Sequence, residues 1–320
     1  MGEFELIRHY FAAAPCAQGG EGVVLGIGDD CALLELPAGQ QLAVSTDTLV
    51  AGVHFPKACE PLLLGQRALA VAASDLAAMG AEPVGFTLAL TLPEVSANWL
   101  QAFAAGLERM AQRCRLSLIG GDTTRGPLSI TVTVFGRVPV GQALRRCGAQ
   151  PGDLLCVGGS LGNAAGALPL VLGERQAQGE LAGPLLDHYW APQPQFALGL
   201  ALRGRASAAL DISDGLLADC GHIAKASGVA LQVNRDQVPV SAALQGFVGR
   251  EAALQAALTG GDDYVLAFTL APRHLSCLAH WPQAKVIGQV CEGQGVTLLD
   301  AQGQDVTPSQ RGYQHFRETP

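Results

Sequence analysis

Lysine is nearly missing from this chain: Lys57, Lys225 and Lys285 stand against seventeen arginines in 320 residues. No GxxxxGK[ST] run occurs, which excludes the P-loop nucleotide hydrolases. The signature set of the protein kinases is absent as well. The net charge is −8 with no run of like charges, so the basic footprint that nucleic acid requires is lacking. Phosphate chemistry in this chain has to rest on metal ions, backbone amides and arginine.

Other absences narrow the class further. The nine cysteines are odd in number and never spaced CxxC, which argues against zinc and against a disulfide framework. They read as small buried hydrophobes in a reducing cytoplasm. The N-terminus has no basic stretch; Glu3 and Glu5 among Phe4, Leu6, Ile7, Tyr10 and Phe11 predict an amphipathic helix rather than a signal peptide. Residues 154–173 carry no charge and match a membrane span in length, but five glycines, Asn163 and Pro169 interrupt them. A strand, a glycine-rich turn and a short buried helix fit better, with no membrane partner. Aromatics are only 5%, so the cores should be mostly Ala, Leu and Val.

What is abundant is glycine, forty residues, which predicts many tight loops. At this length two domains are expected, divided near Pro139–Asp153, where prolines, glycines and the pair Arg145-Arg146 cluster. We place them at 1–140 and 150–320. In the first, a strand over 42–44 should deliver Ser45-Thr46-Asp47-Thr48 at its end. A helix should run from Pro61 to Met79, with Asp75 in its last turn, where the helix dipole disfavours a bare carboxylate. A strand over 84–92, a helix around Trp99–Met110 and a short strand over 116–119 follow, the last leading into Gly120-Gly121-Asp122. Ile130, Val132 and Val134 alternate with threonines as a half-buried strand. In the second domain, a strand over 154–157 precedes a glycine loop and helices across about 163–173 and 194–203. Asp211-Ile212-Ser213-Asp214-Gly215 opens a helix that Gly228 stops, and Gly260-Gly261-Asp262-Asp263 precedes a strand over 264–270. Strands over 285–290 and 296–299 follow, and each half carries a Gly-Gly-Asp turn at a strand edge.

The aspartates carry the functional signal. Nine of fifteen (29, 30, 47, 75, 122, 211, 214, 262 and 263) fall in Gly/Ser/Thr-rich junctions or at the end of the Asp75 helix. The thirteen glutamates show no such clustering. Short, hard carboxylates suit Mg²⁺, which shares its coordination shell with substrate phosphates and lets an acidic protein bind a polyphosphate. Each residue also has a plain structural reading. Ser213 or Asp214 fits a helix cap. Asp262 and Asp263 fit a hairpin turn. His54 fits a satisfied polar residue, and Arg145-Arg146 a solvated linker. The residues alone reach a Mg²⁺-dependent enzyme acting on phosphate.

Nine motifs in order go further: GIGDD (26–30), STDT (45–48), GVHF (52–55), SDLAAMGA (74–81), GGDT (120–123), RRCGAQPGD (145–153), DISDGL (211–216), GGDDY (260–264) and GYQHF (312–316). Together they resemble the bacterial thiamine-monophosphate kinase family, nearly end to end. That family sits with the aminoimidazole ribonucleotide and selenophosphate synthetases. The resemblance implies an α/β (α+β) fold of two domains with mixed sheets flanked by helices, and a homodimer built by the N-terminal domains, with ATP in a cleft. It implies metal ligation by Asp30, Ser45, Thr46, Asp47, Asp75, Asp122, Asp211 and Asp214, with Asp29 acting beside Asp30. Gly121, Asp122, Arg146 and Ser213 would meet ATP, and His54, Asp262 and Tyr313 would meet thiamine monophosphate. Where the family usually reads GGEDYEL, this chain reads Gly260-Gly261-Asp262-Asp263-Tyr264-Val265-Leu266, so Asp262 and Val265 each replace a glutamate. The implied reaction is ATP-dependent phosphorylation of thiamine monophosphate with several Mg²⁺ ions. The alternatives are a sibling ATP-dependent synthetase and a non-catalytic sensor of thiamine phosphate or nucleotide.

Overall fold

The computed structural model describes residues 3–176 and 179–313; Gln314, His315 and Phe316 of the last motif lie outside the described residues. The chain divides into two compact units. Met1–Leu76, Ala81–Ala143 and Trp190–Phe196 form one; Ala77–Gly80, Leu144–Tyr189 and Ala197–Pro320 form the other.

The first unit begins with α1 (Glu3–Leu6), which runs into a π-helical stretch, Ile7–Ala12, and buries Leu6 and Phe11. A two-stranded antiparallel ribbon follows, β1 (Val23–Leu25) and β2 (Leu33–Leu34), and the Gly26–Asp30 segment is its connection. Then come β3 (Gln40–Val50), α2 (Pro61–Ala78), β4 (Glu82–Leu92), α3 (Ala97–Cys114), β5 (Ser117–Arg125) and β6 (Ser129–Pro139). These four long strands form one sheet in the order β3-β6-β4-β5. β4 and β5 are parallel and need a helical crossover, which α3 supplies. Ser96 caps α3, accepting the N–H of Trp99 at 3.4 Å. α2 and α3 approach closely at Gly106: a Cβ there would stand 1.9 Å from the carbonyl oxygen of Leu62.

β6 alternates as the sequence predicts. Ile130, Val132 and Val134 are buried, while the residues between them are half-exposed. Two predicted boundaries were too short. Ser45–Thr48 lies within β3 rather than at its end, and Gly120–Thr124 lies within β5. Hydroxyl pairs across the ladder, Thr46 with Thr133 at 2.9 Å and Thr48 with Thr131 at 2.8 Å, carry β3 onward. β5 keeps its pairing to β4 through Arg125.

The chain continues through β7 (Leu154–Val157), α4 (Asn163–Val171), α5 (Ala182–Trp190), α6 (Phe196–Leu202), β8 (Ala206–Asp211), α7 (Leu216–Ser227) and β9 (Ala230–Asn234). It ends with α8 (Ala242–Val248), α9 (Arg250–Thr259), β10 (Leu266–Leu270), β11 (Lys285–Cys291) and β12 (Gly295–Leu299). The six strands β12-β9-β11-β7-β10-β8 make a second mixed sheet, parallel only between β12 and β9. Alternate residues feed two cores. Leu155, Val157, Ala208 and Leu210 join one; Cys156, Ala209, Leu266 and Phe268 join the other. Both faces of this sheet are therefore covered, as its near-continuous apolar strands require. The architecture is the predicted α+β one, two mixed sheets flanked by helices.

The uncharged stretch 154–173 resolves into β7, a glycine loop and α4. Among the described residues no helix is long and apolar enough to cross a membrane. The repeated turn motif does not repeat in structure: Gly120-Gly121-Asp122 is inside a strand, whereas Gly260–Asp263 is the irregular link between α9 and β10.

Candidate active site

In the first unit, the expected residues fall into two groups. Strand alternation puts Ser45 and Asp47 on one face of β3, where both are half-buried, and Thr46 on the other. Ser45 Oγ donates to Asp75 Oδ2, which ties β3 to α2. The Thr46 hydroxyl instead meets Thr133 on the opposite face, so any part it has beside Ser45 and Asp47 falls to its backbone. The second group lines a cavity of about 720 Å³: Asp29, Asp30, Gly121 and Asp122, together with Arg8, Phe11 and the backbone around them. Asp29 Oδ1 accepts the N–H of Asp30 at 2.9 Å, fixing one carboxylate by the backbone of the other. His54 closes a turn, its Nδ1 accepting the N–H of Val50 at 3.0 Å, which leaves the ring proton on Nε2.

In the second unit, β8 ends at the buried Asp211, and Ser213-Asp214-Gly215 follows before α7. Neither Ser213 nor Asp214 caps the helix, which corrects that reading; the N-cap is Gly215, with no side-chain capping bond. Asp219, in the first turn of α7, does the capping. Its Oδ2 accepts the N–H groups of Ser213, Asp214 and Gly215 at 3.0, 2.9 and 3.1 Å. Burial pushes the Asp219 carboxyl up to about 6, against the opposing pull of these bonds.

The 260–264 segment is an arch and not a hairpin turn. Asp262 and Tyr264 both have left-handed backbones, at φ 67° and 52°, although neither is glycine. Asp262 N donates to Ser213 O at 2.9 Å, Tyr264 N to Ile212 O at 2.8 Å, and Tyr313 N to Asp214 O at 2.9 Å. Tyr264 Oη donates to Asp262 Oδ1 at 3.0 Å. Between them Asp263 turns inward, both its oxygens 2.9 Å from the nitrogen of Gly162 at the start of α4. Burial holds the Asp263 carboxyl well above the usual carboxylate range. Gly162 suits this approach: its φ is 82°, and a Cβ would stand 2.5 Å from Ala257 N.

Ser213, Asp214, Asp262 and Tyr313 are thus joined by one set of backbone bonds, just beyond Asp211 at the end of β8. Arg146 is exposed, and its carbonyl accepts Ser227 Oγ at 3.3 Å; Arg145 O accepts Ala209 N at 2.8 Å, so this pair is docked rather than a free linker. Asp219, Tyr264 and Arg8 were not singled out from the sequence. An acidic residue in the first turn of α7 was the available signal for Asp219. Among the described residues no three His, Cys, Asp or Glu side chains are grouped to hold a metal ion unaided. The donors are short carboxylates and hydroxyls, which fit a hard cation whose shell is completed by water and phosphate.

The fold and sequence are shared with known proteins. The profile described as AIR synthase related protein, N-terminal domain, matches residues 28–138, and its C-terminal counterpart matches residues 150–301. Fold and site thus define the AIR synthase-related class of two-domain proteins. The thiamine-monophosphate kinase of Salmonella typhimurium is 45% identical over 98% of both chains, and that of Escherichia coli K12 is 44% identical with the same coverage. The crystal structure of thiamine-monophosphate kinase from Stenotrophomonas maltophilia superposes with a TM-score of 0.82 at 47% identity, covering 87% of this chain and 91% of that one. A structure described as AaThiL complexed with AMPPCP and TMP superposes at 0.80 and 30% identity, covering 91% and 92%. The chain belongs to the thiamine-monophosphate kinase family.

Proposed function

We propose that this protein transfers the γ-phosphoryl group of ATP directly, in line, to the phosphate of thiamine monophosphate, yielding thiamine diphosphate in the cytoplasm. The observation that carries the reading is the hydrogen-bonded body in the second unit, where Ser213 and Asp214 share backbone bonds with Asp262 and Tyr313. Residues expected at nucleotide and acceptor are held there as one piece. The family relatives and the structure bound to AMPPCP and TMP support it.

The acceptor phosphate is already ionised near neutral pH, its second pKa being about 6, so no general base is required. The work left to the chain is to hold two anions together in line. Asp30, Ser45, Asp47, Asp75 and Asp122 in the first unit, with the Thr46 backbone, and Asp211 and Asp214 in the second would hold several Mg²⁺ ions. Those ions would supply charge screening between the two substrates. Gly121, Arg146 and Ser213 contact ATP; His54 and Asp262 orient the acceptor, and Tyr313 lies against its cationic ring, a contact of about 0.5–2 kcal/mol.

A homodimer through the first unit belongs to the same proposal. Leu42 and Val44 are 46% and 54% exposed on β3, an edge strand. Ile130, Val132 and Val134 are turned into the unit's own core, so the pairing face is the opposite one, with Thr131, Thr133 and Phe135.

Incubating the purified protein with ATP, Mg²⁺ and thiamine monophosphate should give thiamine diphosphate, and Asp47→Asn should lower turnover by orders of magnitude with the fold intact. Tight binding without product would favour a sensor. Product only with another acceptor would favour a sibling synthetase, although no lysine precedes Lys57 to serve a selenophosphate-type loop.

A further inference from the structure

We infer that Tyr264 is a positioning residue, whose hydroxyl fixes the Asp262 carboxylate as the anionic partner of the acceptor's cationic thiazolium ring. The inference rests on the proposed reading that Asp262 faces thiamine monophosphate. Three independent features of the arch support it.

The first is the direct contact, Tyr264 Oη donating to Asp262 Oδ1 at 3.0 Å across one intervening residue. In an extended strand side chains two apart share a face but stand about 7 Å apart along it; here both backbones are left-handed instead, and the two side-chain tips meet. The second is that these conformations are unfavourable for non-glycine residues and persist only where surroundings impose them. The surroundings are visible: Asp263 is anchored inward on Gly162, and the N–H groups of Asp262 and Tyr264 are held by Ser213 O and Ile212 O. Among the described residues the only other non-glycine with positive φ is Arg115, at the C-terminus of α3. The third is chemical. Asp262 stands where family members usually carry the longer glutamate, and its tip therefore reaches less far from the backbone. A phenol donating to one carboxylate oxygen sets the direction of the other without neutralising the charge.

Tyr264→Phe removes only the hydroxyl. Titration calorimetry of the full chain with thiamine monophosphate reads the contact whether or not turnover follows. The Kd should rise about tenfold, as loss of one hydrogen bond to a charged group implies. In steady state the KM for thiamine monophosphate should rise similarly, while the KM for ATP and kcat stay within about twofold; a merely structural role would move all three. In an Asp262→Ala background, where no carboxylate is left to position, the added Tyr264→Phe change should have little further effect; if Tyr264→Phe alone folds poorly, Asp262→Ala with Tyr264 intact should raise the Kd at least about tenfold. Equal Kd values for wild type and Tyr264→Phe would overturn the inference, as would a full tenfold effect of Tyr264→Phe persisting in the Asp262→Ala background, or an unchanged Kd for Asp262→Ala. Wild-type protein that binds thiamine monophosphate without forming thiamine diphosphate would overturn the proposed reaction and leave this assignment standing on the calorimetry. Wild-type protein that does not bind it would overturn both.

Discussion

Asp219 Oδ2 accepts the backbone N–H of Asp214 at 2.9 Å, and the same oxygen serves Ser213 and Gly215. One buried carboxylate thus shapes the loop that presents Ser213 and Asp214. Asp219→Ala leaves three N–H groups without their acceptor and should lower stability by about 1–3 kcal/mol. Asp219→Asn keeps an acceptor oxygen and should recover much of that loss. Denaturant midpoints of the three proteins check this, and equal midpoints for the alanine variant and wild type would count against it.

Asp263 gives a pH dependence with a definite sign. Its carboxyl is harder to ionise in the folded chain than in the unfolded one, because burial raises it. Below about pH 4 both states are protonated and its contribution to stability is complete. As pH rises, the unfolded chain releases the proton first, and the contribution is progressively lost. Asp263→Asn cannot ionise yet still offers Gly162 an acceptor. Melting temperatures measured from pH 4 to 8 should therefore fall less steeply with pH in this variant than in wild type; parallel curves would refute the assignment.

The same substitution should act with opposite signs at two helical glycines. Gly106→Ala forces a methyl group against the carbonyl of Leu62, 1.9 Å away, and should cost about 1–3 kcal/mol as α2 and α3 separate. Gly221→Ala, on α7, meets nothing within 4 Å and should stabilise by about 0.4–1 kcal/mol. Thermal unfolding of both variants beside wild type makes the comparison.

The open face of the first sheet yields a test of assembly. Val44→Lys places a charge on exposed β3 and should convert the proposed dimer into a monomer, with the unit still folded. Light scattering coupled to gel filtration reads the mass directly. An unchanged mass would remove β3 from the pairing face.

The elements that could be read from the sequence were those with strong periodicity and clear ends. α2 starts at Pro61, α3 is capped by Ser96, and β6 alternates without interruption. β3 and β5 were cut short because Ser, Thr, Gly and Asp read as loop formers, while their cross-strand hydroxyl and ladder bonds involve residues some eighty positions away or on a parallel neighbour. α8 and α9 escaped notice because they are short helices with little apolar periodicity to announce them. For the site, the ordered motifs located the residues, but not their company. That Asp219 caps a loop from inside the helix, or that Tyr264 reaches back to Asp262, depends on burial and on left-handed backbones that residue identities do not display.

One consequence follows from Asp263 at the head of α4. The glycine-rich turn before that helix has the form of a cradle for an external anion, with its backbone N–H groups and positive dipole end. Its occupant is instead covalently tethered, so its effective concentration does not depend on what is dissolved outside. A nucleotide phosphate arriving there would have to compete with a group that cannot diffuse away. The protein has thereby closed this helix start to soluble phosphates, and a substrate anion has to be received elsewhere.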